Sequence, residues 1–234
     1  MSVRYLLVPA LLSLTGCVIE TNHSGPVQYS AENVEMDDSE AVRVELRMGA
    51  GDLRVTDGAS KLLRADFAYS VSAWKPEVRY HRAGKQSTLT IEQPGSNHTS
   101  FGNTKYSWDL QLNKKLPVDL SLNFGAGQAR LDLGSLDLRG VDVTMGVGQL
   151  DVDLRGVPRH SYTLGIHGGI GQATVRVSAD AGIYAEAHGG IGSVKVRGLR
   201  SEDGHWVSPS YDGPGNKIRI EIEGGIGQIN LIAD

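Results

Sequence analysis

The sequence predicts an all-β protein of stacked repeats, with the architecture of a β-solenoid. Six Gly-x-Gly triplets lie between strand-like segments, and the middle four of these six follow one another at spacings of 21, 23 and 21 residues. Repeat periods of about 20–50 residues are typical of solenoids and repeat arrays. Apolar and polar residues alternate on both sides of the triplets, whereas helical periodicity is weak after the first residues. Each repeat is expected to supply two strands, one before and one after its triplet, that bury their apolar faces against neighbouring repeats.

The triplets are interpreted as tight corners between these strands. Glycine suits a position with positive φ, or one where a Cβ would clash with the next repeat. They occupy residues 49–51, 125–127, 146–148, 169–171, 190–192 and 225–227. The residues expected to be structural at these corners are Gly127, Gly148, Gly171, Gly192 and Gly227.

The alternation also assigns the faces of the strands, since successive side chains of a strand point to opposite sides. The side chains expected to point inward are Leu131, Leu133, Val141, Val143, Leu150, Val152, Leu154, Leu164, Ile166, Val175, Val177, Ile183, Ala185, Val194, Val196, Ile218, Ile220 and Ile222.

Two parts are expected in the folded region. Residues 41–120 contain the first repeat and a long insertion that reads as an N-terminal antiparallel β meander, expected to form a separate sheet on the end of the stack. Its strands are predicted at residues 63–71, 76–82, 87–93, 106–113 and 117–123. Residues 121–234 hold the remaining repeats.

The first residues resemble a bacterial lipoprotein signal. Arg4 precedes a short apolar run at residues 5–14, and Leu14-Thr15-Gly16 leads into Cys17, the single cysteine. The resemblance implies a signal peptide at residues 1–16 and lipidation of Cys17, and hence a membrane-anchored protein of the cell envelope. In a Gram-negative cell, Val18 after the cysteine would favour the outer membrane. The alternative is an ordinary secretory signal with an incidental cysteine. Residues 17–40 lack periodicity and are interpreted as a flexible tether.

The repeats themselves resemble a known family. Strand, Gly-x-Gly-Gln or Gly-x-Gly-Asp, and strand again, behind a β-rich leading part, is similar to the toast-rack type of β-solenoid over residues 41–234. This domain type occurs in the C-terminal part of LiaF-like envelope-stress proteins and in bacterial proteins described as candidate adhesins. LiaF-like regulators carry transmembrane helices ahead of the domain, where this sequence has the cysteine signal.

Aligning the repeats by their triplets produces columns of polar residues. Four glutamines follow triplets directly: Gln128, Gln149, Gln172 and Gln228. Stacked amides can form a ladder of side-chain hydrogen bonds, and the alternative is a ligand site. In two further columns, Arg130 is expected beside Asp151 and Asp153 beside Arg176.

The outward column before the triplets contains His167, His188 and Glu223, with Glu186 and Glu221 two residues upstream of His188 and Glu223. Imidazole and carboxylate groups on adjacent strands can share Zn²⁺ or a similar ion. The alternative is an exposed polar column in which histidine recurs with the repeat.

The last two triplets are 35 residues apart, so about 14 residues beyond one 21-residue period are inserted near residues 201–215. This loop carries His205, Trp206 and Tyr211. The aromatic residues suit contact with a partner protein or glycan, and they suit equally a hydrophobic plug over the stack.

The composition and motifs narrow the function. The formal net charge of −4 argues against a nucleic-acid partner. No nucleophile motif, phosphate loop or cofactor fingerprint occurs in the sequence, so no cofactor is expected. The sequence therefore predicts a noncatalytic envelope scaffold for binding, adhesion or stress sensing, whose partner is an unknown envelope protein or glycan. The alternative is a carbohydrate-active β-solenoid enzyme.

Overall fold

The computed structural model describes residues 25–95 and 104–234, and these residues form an all-β protein, as predicted. Beside the strands the described residues contain a single turn of 3-10 helix, Ser72–Trp74. None of their helices has the length and apolar character needed to cross a bilayer. The strands are β1 Gln28–Val34, β2 Ala41–Asp57, β3 Leu63–Tyr69, β4 Glu77–Ala83, β5 Gln86–Glu92, β6 Tyr106–Leu112, β7 Pro117–Asp132, β8 Asp137–Leu154, β9 Tyr162–Val177, β10 Gly182–Arg197, β11 Arg200–Glu202, β12 His205–Val207 and β13 Lys217–Ala233.

Six long strands form the centre of the molecule. They are hydrogen-bonded side by side in parallel, in the order β2, β7, β8, β9, β13, β10. Each carries one Gly-x-Gly triplet, and the triplets are in register across the whole stack. The expectation of two separate strands per repeat is wrong, because every strand runs through its triplet without interruption. At the bend, the pairing of neighbouring long strands is interrupted only at the first glycine of each triplet and resumes at the next residue.

Each long strand folds back on itself at its triplet. A straight strand of the length of β7 would span roughly 50 Å. However, Pro117 at its start pairs with Asp137 at the start of β8, and only residues 133–136 connect the two strands. A connection this short reaches roughly 18 Å at most, so the two ends of β7 must lie close together. We call the part of a long strand before its triplet the first arm and the part after it the second arm.

Gly148 shows why the bend requires glycine. Its φ is +141°, a conformation that residues with a side chain rarely adopt. A Cβ built on Gly148 would also overlap the backbone carbonyl oxygen of Gly127 on the adjacent strand. The same two features recur at the second glycine of the other central triplets, Gly127, Gly171, Gly192 and Gly227.

The core lies between the two sets of arms. Every side chain that the alternation assigns to the interior is buried, except Val194 and Val196, which are half-buried. Both valines belong to the second arm of β10, the last of the long strands in the stack. Burial therefore follows the predicted faces wherever a strand has neighbours on both sides.

The order of the last two repeats differs from their order in the sequence. β13 lies between β9 and β10, so the third and fourth of the evenly spaced repeats are not neighbours. The inserted segment makes this possible. Its strand β12 pairs antiparallel with Tyr184 and Ala185 on one side of β10, and β13 returns to pair on the other side.

The N-terminal insertion joins the same sheet, so the expected separate sheet is wrong. Both β5 and β6 pair in parallel with β2, β5 with its first arm and β6 with its second. The expected antiparallel pairing occurs farther out, between β4 and β5 and between β3 and β6. The predicted boundary at residue 120 falls inside β7, which is continuous there.

The tether prediction for residues 17–40 is wrong at residues 28–34, which form β1 and pair antiparallel with β3. β1 has no continuous apolar alternation, and its place is fixed by backbone pairing to β3. The predicted signal peptide and Cys17 lie outside the described residues.

Candidate functional site

The outer face of the first arms carries the densest group of interacting polar and aromatic side chains near the end of the stack. Neighbouring residues on β10, β13 and β9 form three rows on this face. The rows are Tyr184, Arg219 and Thr163; Glu186, Glu221 and Gly165; and His188, Glu223 and His167. We call these nine residues the outer patch.

The predicted histidine column is rearranged by the order of the strands. Glu223 lies between His167 and His188, which are therefore not on adjacent strands. Nδ1 of His167 is 3.2 Å from Oε2 of Glu223, so this imidazole is already paired with the carboxylate. Among residues 25–95 and 104–234 no three His, Cys, Asp or Glu side chains are placed to hold a metal ion. The hypothesis of an ion shared by histidines on adjacent strands therefore has no support in this arrangement.

Tyr184, Glu186 and Arg219 form a connected group in the outer patch. The Tyr184 hydroxyl donates a hydrogen bond of 2.5 Å to Oε1 of Glu186. The Arg219 guanidinium lies over the Tyr184 ring at 4.8 Å, is 3.6 Å from Oε2 of Glu186, and pairs with Glu221. The hydrogen bond from Tyr184, with a smaller contribution from the charge of Arg219, lowers the pKa of Glu186 below its ordinary value. The group therefore holds a fixed carboxylate on the surface.

Replacing Tyr184 by phenylalanine is expected to raise the pKa of Glu186 towards its ordinary value, because the donated hydrogen bond is lost. A folded-state pKa below the unfolded one means that the interaction stabilises the fold above the unfolded pKa and is lost as pH falls through the folded pKa. An NMR titration of the Glu186 carboxyl carbon measures the shift.

The control is Tyr80→Phe, since the Tyr80 hydroxyl donates to Asp37 on a different part of the molecule. It should raise the pKa of Asp37 and leave that of Glu186 unchanged. An unchanged Glu186 pKa in Tyr184→Phe would show that the hydroxyl does not set it.

The inserted loop packs onto the outer patch with its own aromatic residues. The His205 ring stacks on the Tyr184 ring at 4.8 Å, and the Tyr211 ring lies 5.9 Å away. Trp206 pairs with Ala185 and packs against the core. Nζ of Lys217 lies 5.5 Å from the centre of the Tyr211 ring and donates to the Gly213 carbonyl. All three loop aromatics therefore contact the chain itself, which favours the plug over a free partner loop.

A shallow depression begins within the outer patch and extends from it towards β2 on the same face. Gly140 and Gly165 lack side chains there, and the surrounding residues include Asp142, Glu221 and His167. Asp119 and Glu45 complete the acidic rim, with Arg43 beside them. This is the concave, carboxylate-lined feature that a carbohydrate-active enzyme would need.

The four glutamines Gln128, Gln149, Gln172 and Gln228 stand on consecutive strands of the second arms. Their amides do not form the expected ladder. Gln149 donates to Asp151, Gln172 to Thr174 and Gln228 to Asn230, each two residues farther along its own strand. Residues i and i+2 share a face, so each acceptor is within reach of the amide two residues before it. Among the described residues no hydrogen bond joins two of these amides.

The charged columns of the second arms are in the predicted register. Arg130 lies beside Asp151 and Asp153 beside Arg176. Asp153 makes its close ion pair with Arg155, at 2.6 Å, and the hydrogen bond from Arg155 lowers the pKa of Asp153. The opposite charges that lie side by side on adjacent strands help to fix register.

The parallel stack and its surface place the chain among the toast-rack proteins. The family model for the N-terminal domain of toast-rack proteins, DUF2154, matches residues 23–176. The chain belongs to this family.

Among solved structures, a candidate cell adhesion protein from Clostridium sporogenes ATCC 15579 is similar at a TM-score of 0.84 and 30% identity, covering 89% of this chain and 100% of that chain. A candidate adhesin from Bacteroides fragilis NCTC 9343 has a TM-score of 0.23 and 11% identity, covering 88% of this chain and 96% of that chain. A candidate adhesin from Parabacteroides merdae ATCC 43184 has a TM-score of 0.25 and 10% identity, covering 88% and 97%. Comparison with curated proteins gives no match.

Proposed function

We propose that the protein is a lipid-anchored component of a bacterial cell envelope whose β-solenoid presents a noncatalytic binding surface, for adhesion or for sensing envelope stress. The observation that carries the proposal is the outer patch, whose charged and aromatic side chains are held by one another on an exposed face. The similar protein from Clostridium sporogenes, described as a candidate cell adhesion protein, supports the same class of function. The partner is an envelope protein or a glycan.

We infer a β-solenoid from the two arms of each repeat. Each long strand returns close to its own start before the next strand begins, so the chain makes one coil per repeat. Such a coil stacks its arms into two continuous faces along the axis. This separation suits a scaffold that displays its binding residues on a single face.

Site-specific photo-crosslinking in intact cells tests the binding function. The probe replaces Glu223, which is exposed in the outer patch, and a control probe replaces Asp66, exposed on β3. Adducts formed from position 223 and not from position 66 would support binding through the outer patch. Equal adduct patterns at the two positions would contradict it.

The membrane anchor is tested by Cys17→Ser. The substitution removes the thiol that would carry the lipid, so the protein is expected to leave the membrane fraction or to retain its signal peptide. Cell fractionation and the mass of the product measure both outcomes. Substitution of Ser24 by alanine, close in sequence, is the control and should leave fractionation unchanged. Undiminished membrane attachment of the processed Cys17→Ser protein would contradict lipidation at this residue.

A second candidate function, a carbohydrate-active enzyme, is favoured by the depression alone. Asp142 and Glu221 lie on strands separated by β9, so their backbones are roughly 9–10 Å apart. Glycosidases act through two carboxyl groups on either side of the scissile bond, and both of these side chains line the depression. Release of reducing sugar from envelope polysaccharide that is lost in Asp142→Asn and retained in Asp66→Asn would support this function.

A further inference from the structure

The stack is closed at one end and open at the other. At the first repeat, β5 covers the first arm of β2 and β6 covers the second arm. At the last, β12 covers β10 at Tyr184 and Ala185 only. Residues 190–197 of β10 pair with β13 on one side, and no strand of the described part of the chain pairs with them on the other. Their second row of backbone donors and acceptors is therefore open to another strand.

The inward side chains of this edge are less buried than those of strands that have a neighbour on both sides. Val194 is half-buried, whereas its counterparts on the preceding strands are buried; the same holds for Val196. These counterparts are Ile229, Ala173 and Leu150 for Val194, and Leu231, Val175 and Val152 for Val196. Ile191 at the corner is 72% exposed. A further strand would bury the apolar surface that the present edge leaves half covered.

The charge of the edge indicates what such a strand carries. Lys195 and Arg197 are exposed on its outer face. Their neighbours on β13 are Asn230 and Ile232, which have no charge. Within residues 25–95 and 104–234 neither cation is within ion-pair distance of a carboxylate.

Elsewhere in the stack these two columns place opposite charges on adjacent strands. Arg130 lies beside Asp151 in one column, and Arg176 lies beside Asp153 in the next. Lys195 and Arg197 occupy these two columns at the open edge. A strand with carboxylates at these positions and apolar residues between them would repeat an arrangement that the stack already contains.

We propose that residues 190–197 receive an extended segment of a partner protein, in which acidic and apolar residues alternate, as an additional strand of the sheet. Backbone hydrogen bonds provide the affinity, and Lys195 and Arg197 select the acidic sequence. This inference deepens the proposed binding function by naming the partner's chemistry, and it rests on that function.

The sequence of β8 supplies the probe for a test. A peptide of residues 148–155 has aspartates at 151 and 153, alternating with Leu150, Val152 and Leu154. The control peptide carries lysine in place of both aspartates. With the full chain carrying Cys17→Ser, we expect the acidic peptide to bind at least about tenfold more tightly than the control peptide, because the control places like charges opposite one another. Added salt should weaken this preference.

Two measurements locate the binding. Hydrogen exchange should slow at residues 190–197 when the acidic peptide is added, and should be unchanged in β5 and β6 at the closed end. In the double variant Lys195→Glu and Arg197→Glu the preference should reverse in favour of the lysine peptide. The control is Arg139→Glu, an exposed position on β8, which β9 and β13 separate from β10; this variant should keep the original preference.

The proposal is overturned if both peptides bind equally, if protection appears elsewhere, or if light scattering shows the chain forming a dimer through this edge. These failures are separable from failure of the proposed function. Adducts from position 223 together with no peptide binding at residues 190–197 would leave the binding function standing and remove the edge as its site.

Discussion

Gly148→Val is expected to lower the free energy of unfolding by about 2–6 kcal/mol, because two costs coincide at this residue. Its positive φ strains any residue with a side chain, by about 1–3 kcal/mol. In addition, the new side chain overlaps the carbonyl of Gly127, and overpacking of this kind costs about 1–3 kcal/mol. Denaturant unfolding followed by circular dichroism measures the change.

Two matched variants separate these costs. Gly58 has φ of +109°, and a Cβ at this position would have no heavy atom within 4 Å, so Gly58→Val reports the strain without the overlap. Gly146 has no positive φ, but a Cβ there overlaps the carbonyl of Gly125, so Gly146→Val reports the overlap. The loss in Gly148→Val should exceed that in either control. A Gly148→Val protein as stable as the wild type would show that the bend does not depend on glycine.

Pairs of cysteines introduced into the outer patch are expected to form a disulfide only where their two strands are adjacent, and so to reveal the order of the strands. Adjacent parallel strands place paired Cα atoms about 4.8 Å apart, within the range of about 4.4–6.8 Å that disulfides span. Oxidation should therefore link the pair at positions 167 and 223 and the pair at 188 and 223. Cysteines at 167 and 188 are two strands apart, roughly 9–10 Å, and should remain reduced. Each pair is made in a Cys17→Ser chain, and non-reducing electrophoresis with peptide mass mapping reads the result.

The reverse outcome, a link between 167 and 188 and none to 223, would restore the order in which the repeats follow one another in the sequence. It would also place the two histidines on neighbouring strands, as a shared metal ion requires in the sequence-based hypothesis. The three double variants act as controls for one another, since all the positions lie in the same row of exposed residues.

The register of the stack could be predicted from the sequence, whereas its order could not. The triplets and the alternation around them determine which residues of neighbouring strands lie side by side. The position of Arg130 beside Asp151 follows from these two features alone. The order is not encoded in the period. In the inward column, Ile166 of β9 lies beside Ile222 of β13. Ala187 occupies the same level of β10 and is also apolar, so the inward residues do not decide which strand lies next to β9. The choice depends on the inserted loop, whose packing on Tyr184 has no counterpart in the repeats.

The same ordering decides how much of the candidate site the sequence can predict. The sequence assigns His167, His188 and Glu223 to one column, and they share one row of the outer patch. The group of Tyr184 and Arg219 is missed, because the two residues come together only when β13 lies beside β10. The 35-residue spacing between the last two triplets is a sequence signal for this order. A connection that long allows the following strand to pair somewhere other than beside the preceding one.

The position of β13 also has a consequence for how the protein is made. Chains are synthesised from the N-terminus, and segments fold as they emerge. β9 and β10 come from the ribosome in succession, yet each lacks the neighbour that lies between them until residues 217–233 follow. Until then Ile166 and Ile183 lack the strand that covers them in the finished molecule. A chain that stops before β13 therefore exposes apolar side chains of β9 and β10 to cellular proteases, whereas the complete chain buries them against β13.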